Sequence, residues 1–175
     1  MKRLKKWIVL LMILVLAIPA ISMAAVGTVV QTHNLIGKDI ATLTIVCIGG
    51  TDAQAGTVPN TAISITNTNK LLGWYLYSVT AFRTVGGTAP DEASVFIKDA
   101  TGLYLLGSVD DGTTAYNGSK LIHASGTRSC FPNKYILGTG EHYNYFPEVN
   151  NVWTLIVADQ ATASADFTIV LTFIK

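Results

Sequence analysis

The sequence predicts an all-β protein, a single antiparallel β-sandwich of jelly-roll-like type behind an N-terminal signal peptide. Three observations carry this. Apolar side chains recur at every second position through most of the chain after residue 28, the period of a strand with one buried face. Clusters of Gly, Pro, Asn and Asp interrupt these runs every 8–12 residues or so, about the spacing of turns in sandwiches and jelly rolls. Ahead of them stands a basic, then apolar leader that belongs to export rather than to the fold.

The leader has three parts. Lys2, Arg3, Lys5 and Lys6 make a basic start, Trp7 to Ile18 is an unbroken apolar run of twelve residues, and Pro19 and small residues follow. As a helix that run spans ~18 Å at ~1.5 Å per residue, against ~30 Å of bilayer hydrocarbon. It is short for a transmembrane anchor and suits the apolar core of a signal peptide. Ser22 and Ala24 take the −3 and −1 positions of a cleavage site, dividing the chain into a signal peptide, residues 1–24, and a sandwich domain, residues 25–175. The alternative is an uncleaved anchor, reached if the helix continues through Ile21 and Met23. No Cys follows the run to carry a lipid. The expected destination is secreted, periplasmic or cell-surface, with membrane contact only through the leader before cleavage.

Charge excludes one partner class. The full chain has a formal charge of +1, but four of its twelve Lys and Arg lie in the leader. The mature chain therefore sets eight basic residues against eleven acidic ones and lacks the basic footprint of nucleic-acid binding.

The strands follow in order. Residues 40–48 (IATLTIVCI), 61–66 (TAISIT), 73–83 (GWYLYSVTAFR), 93–99 (ASVFIKD) and 103–107 (LYLLG) are rich in residues that fit a pleated, half-buried surface. Between them GGTDAQAGTVPN, GGTAPD, DATG and DDGTTAYNG read as turns. Residues 119–125 (SKLIHAS) allow one helical turn. Near the C-terminus, 153–158 aligns Trp153, Leu155 and Val157, and 167–174 aligns Phe167, Ile169, Leu171 and Phe173 on one face. Joined by the polar ATASAD, the two read as a hairpin or as neighbouring strands.

Cys47 and Cys130 are the two cysteines. An even count in an exported chain favours a disulfide, here closing a loop of about 83 residues for ~4–5 kcal/mol at most. Two buried thiols are the alternative, since Cys47 shares a strand face with Leu43 and Ile45.

Residues 126–151 hold two prolines and many aromatics, and read as a long irregular loop. Phe131, Tyr135, His142, Tyr143, Tyr145 and Phe146 make it the one stretch with binding character, because Tyr joins a flat apolar face to a polar tip. Pinning the loop to the sheet is the competing role. No catalytic residue, metal ligand set or cofactor is expected. The histidines His33, His123 and His142 have no ligand spacing, and neither G-x-S-x-G nor S-x-x-K occurs. Asp91-Glu92 and Asp110-Asp111 read as turn residues, with calcium at 110–118 as the lesser alternative. An enzyme would need two of Asp110, Asp111, Glu141 and His142 to converge. Asn117-Gly118-Ser119 fits a glycosylation sequon.

Three segments carry a resemblance: Gly86-Gly87-Thr88-Ala89-Pro90-Asp91; Val95-Phe96-Ile97-Lys98-Asp99 with Gly102 and Leu105-Leu106-Gly107; and Trp153 to Val157 with Thr168 to Leu171. On these the chain resembles small β-rich proteins encoded among bacteriophage and prophage structural genes. The resemblance implies a sandwich-type virion or particle component with no catalytic residues to carry over. The leader departs from it, because virion proteins assemble in the cytoplasm. The expected function is an exported, non-enzymatic structural or surface-interaction protein, bound to a protein partner or to itself. The alternative is a secreted glycan- or small-ligand-binding module.

Overall fold

A computed structural model describes residues 26–51, 55–63, 71–106, 120–136, 141–144 and 146–175, with backbone only for 133–136 and 141–144. The leader, the calcium alternative at 110–118 and the sequon at Asn117 lie outside the described residues.

Alternation produces ten strands: β1 Thr28–Ile36, β2 Ile40–Ile48, β3 Thr61–Ala62, β4 Tyr75–Arg83, β5 Ser94–Asp99, β6 Thr127–Cys130, β7 Asn133–Ile136, β8 Glu141–Asn144, β9 Trp153–Ala158 and β10 Asp166–Ile174. They form a five-stranded sheet in the order β1-β2-β10-β4-β6, a three-stranded sheet β3-β9-β5, and the pair β7-β8. Every pairing between these strands is antiparallel, and no helix occurs among the described residues.

The periods written in the sequence are the ones that pack. Ala41, Leu43, Ile45 and Cys47 of β2, and Phe167, Ile169, Leu171 and Phe173 of β10, are all buried and face one core. Trp153 and Leu155 of β9 with Val95 and Ile97 of β5 supply the opposite side of that core. The Trp153 and Phe173 rings meet across it at 6.1 Å between centroids.

β9 and β10 are therefore neither a hairpin nor neighbours. Each has one strongly apolar face, and facing each other across the core buries both faces, whereas side-by-side pairing would leave one sheet uncovered. The connection crosses between sheets through Asp159 and Ser164, which take positive φ of 65° and 55°. Asp91 holds this corner. Its carboxylate accepts from the Ala161 amide at 3.1 Å and from the Thr162 hydroxyl, and its amide donates to Gln160 Oε1 at 3.2 Å. These bonds hold its carboxyl below the usual range, the Thr162 bond foremost. Gly56 has φ +73°, and a Cβ there would stand 2.5 Å from Ala161 C, so this turn also closes on the corner.

Other expectations move too. Residues 103–106 form no strand, because Asp99 Oδ1 gathers the Thr101 and Leu103 amides at 2.8 and 2.9 Å into a turn. That turn places Tyr104 and Leu105 beside β5. Residues 120–125 make no helical turn; instead Ile122 bridges Ala93. Residues 126–151 are not irregular throughout, since β6, β7 and β8 lie within them.

The cross-sheet ring contact gives a first test. Trp153→Ala should cost about 3–5 kcal/mol of unfolding free energy, through lost burial and the cavity left behind. Chemical denaturation followed by far-UV circular dichroism measures it.

Candidate functional site: an uncharged sheet face with an aromatic border

Register places the outer side chains of the five-stranded sheet in rows across it. Val30, Val46, Thr168, Phe82 and Thr127 make one row; Thr32, Thr44, Val170, Thr80 and Ser129 the next. Asn34, Thr42, Thr172 and Ser78 follow, then Ile36, Ile40, Ile174 and Tyr75. No charged residue occupies these rows. Charges stand at the margins: Asp166 at one end, and Lys38, Asp39 and Glu148 at the other. The rim is also the more apolar part, with Val30 60% and Ile36 51% exposed. Within the face, the Thr80 and Ser129 hydroxyls bond each other at 2.8 Å.

An irregularity in β4 raises aromatics at one corner. Thr172 pairs Ser78 and Phe173 pairs Leu76, so Tyr77 is an extra residue on β4. Leu76 and Val79 are both buried three residues apart, which a regular strand does not permit. A β-bulge of this kind re-aims a side chain. Tyr77 packs edge-on against Phe131 at 5.5 Å and stacks on Phe146 at 5.7 Å. Phe131 follows directly on β6. Phe146 is placed by the next residues, since Leu76 donates to Pro147 O at 2.9 Å and Val149 to Trp74 O at 2.7 Å.

Of the aromatic group named from sequence, the structure brings together Phe131 and Phe146, through Tyr77, which sequence reasoning left out. The residues Tyr135 and His142 are direct partners on β7 and β8, and Tyr143 pairs Lys134; this is register only. Tyr145 lies outside the described residues, as do Asp110 and Asp111. The one signal for Tyr77 was its place in GWYLYSVTAFR, where strict alternation from Tyr75 to Val79 would put a large aromatic and a valine on one face.

The disulfide expectation is corrected. Cys47 lies on β2 and Cys130 on β6, with β10 and β4 between them. Three strand spacings alone amount to ~14 Å, twice the ~7 Å between Cα atoms that a bridge tolerates. Both are free buried thiols facing the core. Burial pushes each up to about 12, with the Asp166 charge adding to the effect at Cys47. Such thiols are inert.

Elsewhere Glu92 is paired with Lys120 Nζ at 2.9 Å and His123 Nε2 at 2.8 Å, holding the strand-like 120–123 segment beside β5. The Lys120 contact leads in keeping its carboxyl below the usual range. No cluster of three or more His, Cys, Asp or Glu suited to a metal occurs among the described residues, nor does any helix long and apolar enough to cross a membrane. The chain matches no known family model, no curated protein and no solved structure.

The thiols give a test with a definite sign. The unfolded chain releases each proton near the ordinary 9, the folded protein near 12. The stability each thiol lends is complete below pH 9 and declines as pH rises to 12, by about 1.4 kcal/mol per pH unit per thiol. Denaturation at pH 8 and pH 10 should therefore show a larger loss for the wild type than for the Cys47→Ala, Cys130→Ala double variant. Alkylation without reductant should leave both thiols unmodified in the native protein and modify both in denaturant.

Proposed function

We propose that the protein is an exported, non-enzymatic structural or surface-interaction component, a β-sandwich of jelly-roll-like type that acts by self-association. The uncharged outer face of the five-stranded sheet carries this reading. Covering Thr, Val and Ile strips no charge of its hydration, whereas a charged face resists desolvation. Interface cores are depleted in charge in the same way, and contiguous apolar surface marks interaction sites. The basic and apolar leader supports export. The likeness of residues 86 onward to β-rich proteins of phage structural genes supports a particle or surface component.

Expression from residue 1 in an export-competent host tests both halves. The chain should leave the cytoplasm, begin at Ala25 by N-terminal sequencing, and sediment as more than one copy. Cytoplasmic retention with Met1 intact refutes export. A strictly monomeric species at high concentration refutes self-association.

A second reading, a secreted glycan- or small-ligand-binding module, is favoured by the aromatic corner at Tyr77, Phe131 and Phe146, since flat rings stack on sugars as they do on protein surfaces. On that reading a glycan array gives signal that Tyr77→Ala abolishes. An array flat with and without calcium leaves protein partners.

A further inference from the structure

We infer that the outer face of the five-stranded sheet is the contact between two copies of this chain, packed face to face as one more layer of sheet on sheet. This rests on the self-association reading and gives it a surface and a partner. Charge selects the partner. The four rows offer no cation or anion for a charged surface to pair with, so a charged partner would bury its own groups without compensation. A second copy presents the same neutral face, and its Asp166, Lys38, Asp39 and Glu148 stay at the margins, where water reaches them.

Area agrees. Five strands ~4.8 Å apart and four rows ~6.8 Å apart cover ~600 Å² per copy, about 1,200 Å² for the pair, which reaches the lower bound of stable specific interfaces. The β-branched side chains of the rows are the type that interdigitates when sheets stack ~10 Å apart. The contact is isologous, so its two-fold axis crosses the face. The centre of the array falls at Val170, on the middle strand and in an inner row.

Sedimentation of the chain expressed from residue 1, over a range of concentrations, tests this. The wild type should be a dimer. Val170→Lys should weaken association about 100-fold or more, because like charges then meet in the contact. Val170→Asp should do the same, and an equimolar mixture of the two should associate again. Val85→Lys, at a fully exposed loop position off the face, should leave association unchanged. Matching circular dichroism spectra guard against misfolding. Thr44→Lys with Thr44→Asp repeats the test on the adjacent strand if the Val170 variants fail to fold. A dimer that survives lysine and aspartate at these positions overturns the face while self-association stands. A monomeric wild type overturns both.

Discussion

The last strand of the chain is the member on which the five-stranded sheet depends. β10 pairs along its whole length with β2 on one side and from Phe167 to Ile174 with β4 on the other, and no other described strand joins those two halves. Its core face, Phe167 to Phe173, is also the surface on which the second sheet rests through Trp153. Without β10, β2 and β4 become two open edges flanking an exposed core, a state that invites aggregation. Its two partners lie far back in sequence, so the sheet closes late and at a high entropic cost.

Much of the fold was legible. β2, β5, β9 and β10 were read within a residue or two, because a strand with one deeply buried face writes its period into the sequence without interruption. β1 was missed for the converse reason. Its next two inward positions after Val29 are Gln31 and His33, polar residues that an edge strand can hold at the border of the core, and they interrupt the alternation. β6 buries only Cys130 and is four residues long, too short to show a period. The pairing of β9 with β10 was misread because a polar linker of hairpin length looks the same whether the chain reverses within a sheet or crosses between two.

The candidate site was legible only in pieces. Phe131 and Phe146 stood out as aromatics in an otherwise polar stretch, but their meeting point is a bulge on a strand more than fifty residues earlier. A bulge leaves no mark in composition. It shows only as a three-residue gap between buried positions, and that requires knowing which positions are buried. The neutral face was harder still. Its residues come from five segments spread over most of the chain, and no single segment is unusual in having a few threonines and valines turned outward. The property belongs to the register, which aligns these outward positions side by side.

The two faces of this one sheet differ in what they can bury. The inner face is apolar and buries itself against β9 and β5. The outer face keeps the same β-branched character but exchanges half its methyl groups for hydroxyls, as Thr32, Thr44 and Thr80 do beside Val170. Those hydroxyls suit a face that is wet as a monomer, since a hydroxyl can bond to water or, as those of Thr80 and Ser129 do, to a neighbour. The same groups can be covered without burying a charge. A face of leucines would invite aggregation, and a face of lysines would repel a second copy of itself. Thr-Val rows hold the surface between those extremes. On such a face, shape and row spacing must supply the selectivity that charge pairs supply elsewhere. A repeating lattice of side chains is matched best by another lattice with the same spacing, and a second copy of the sheet has that by construction.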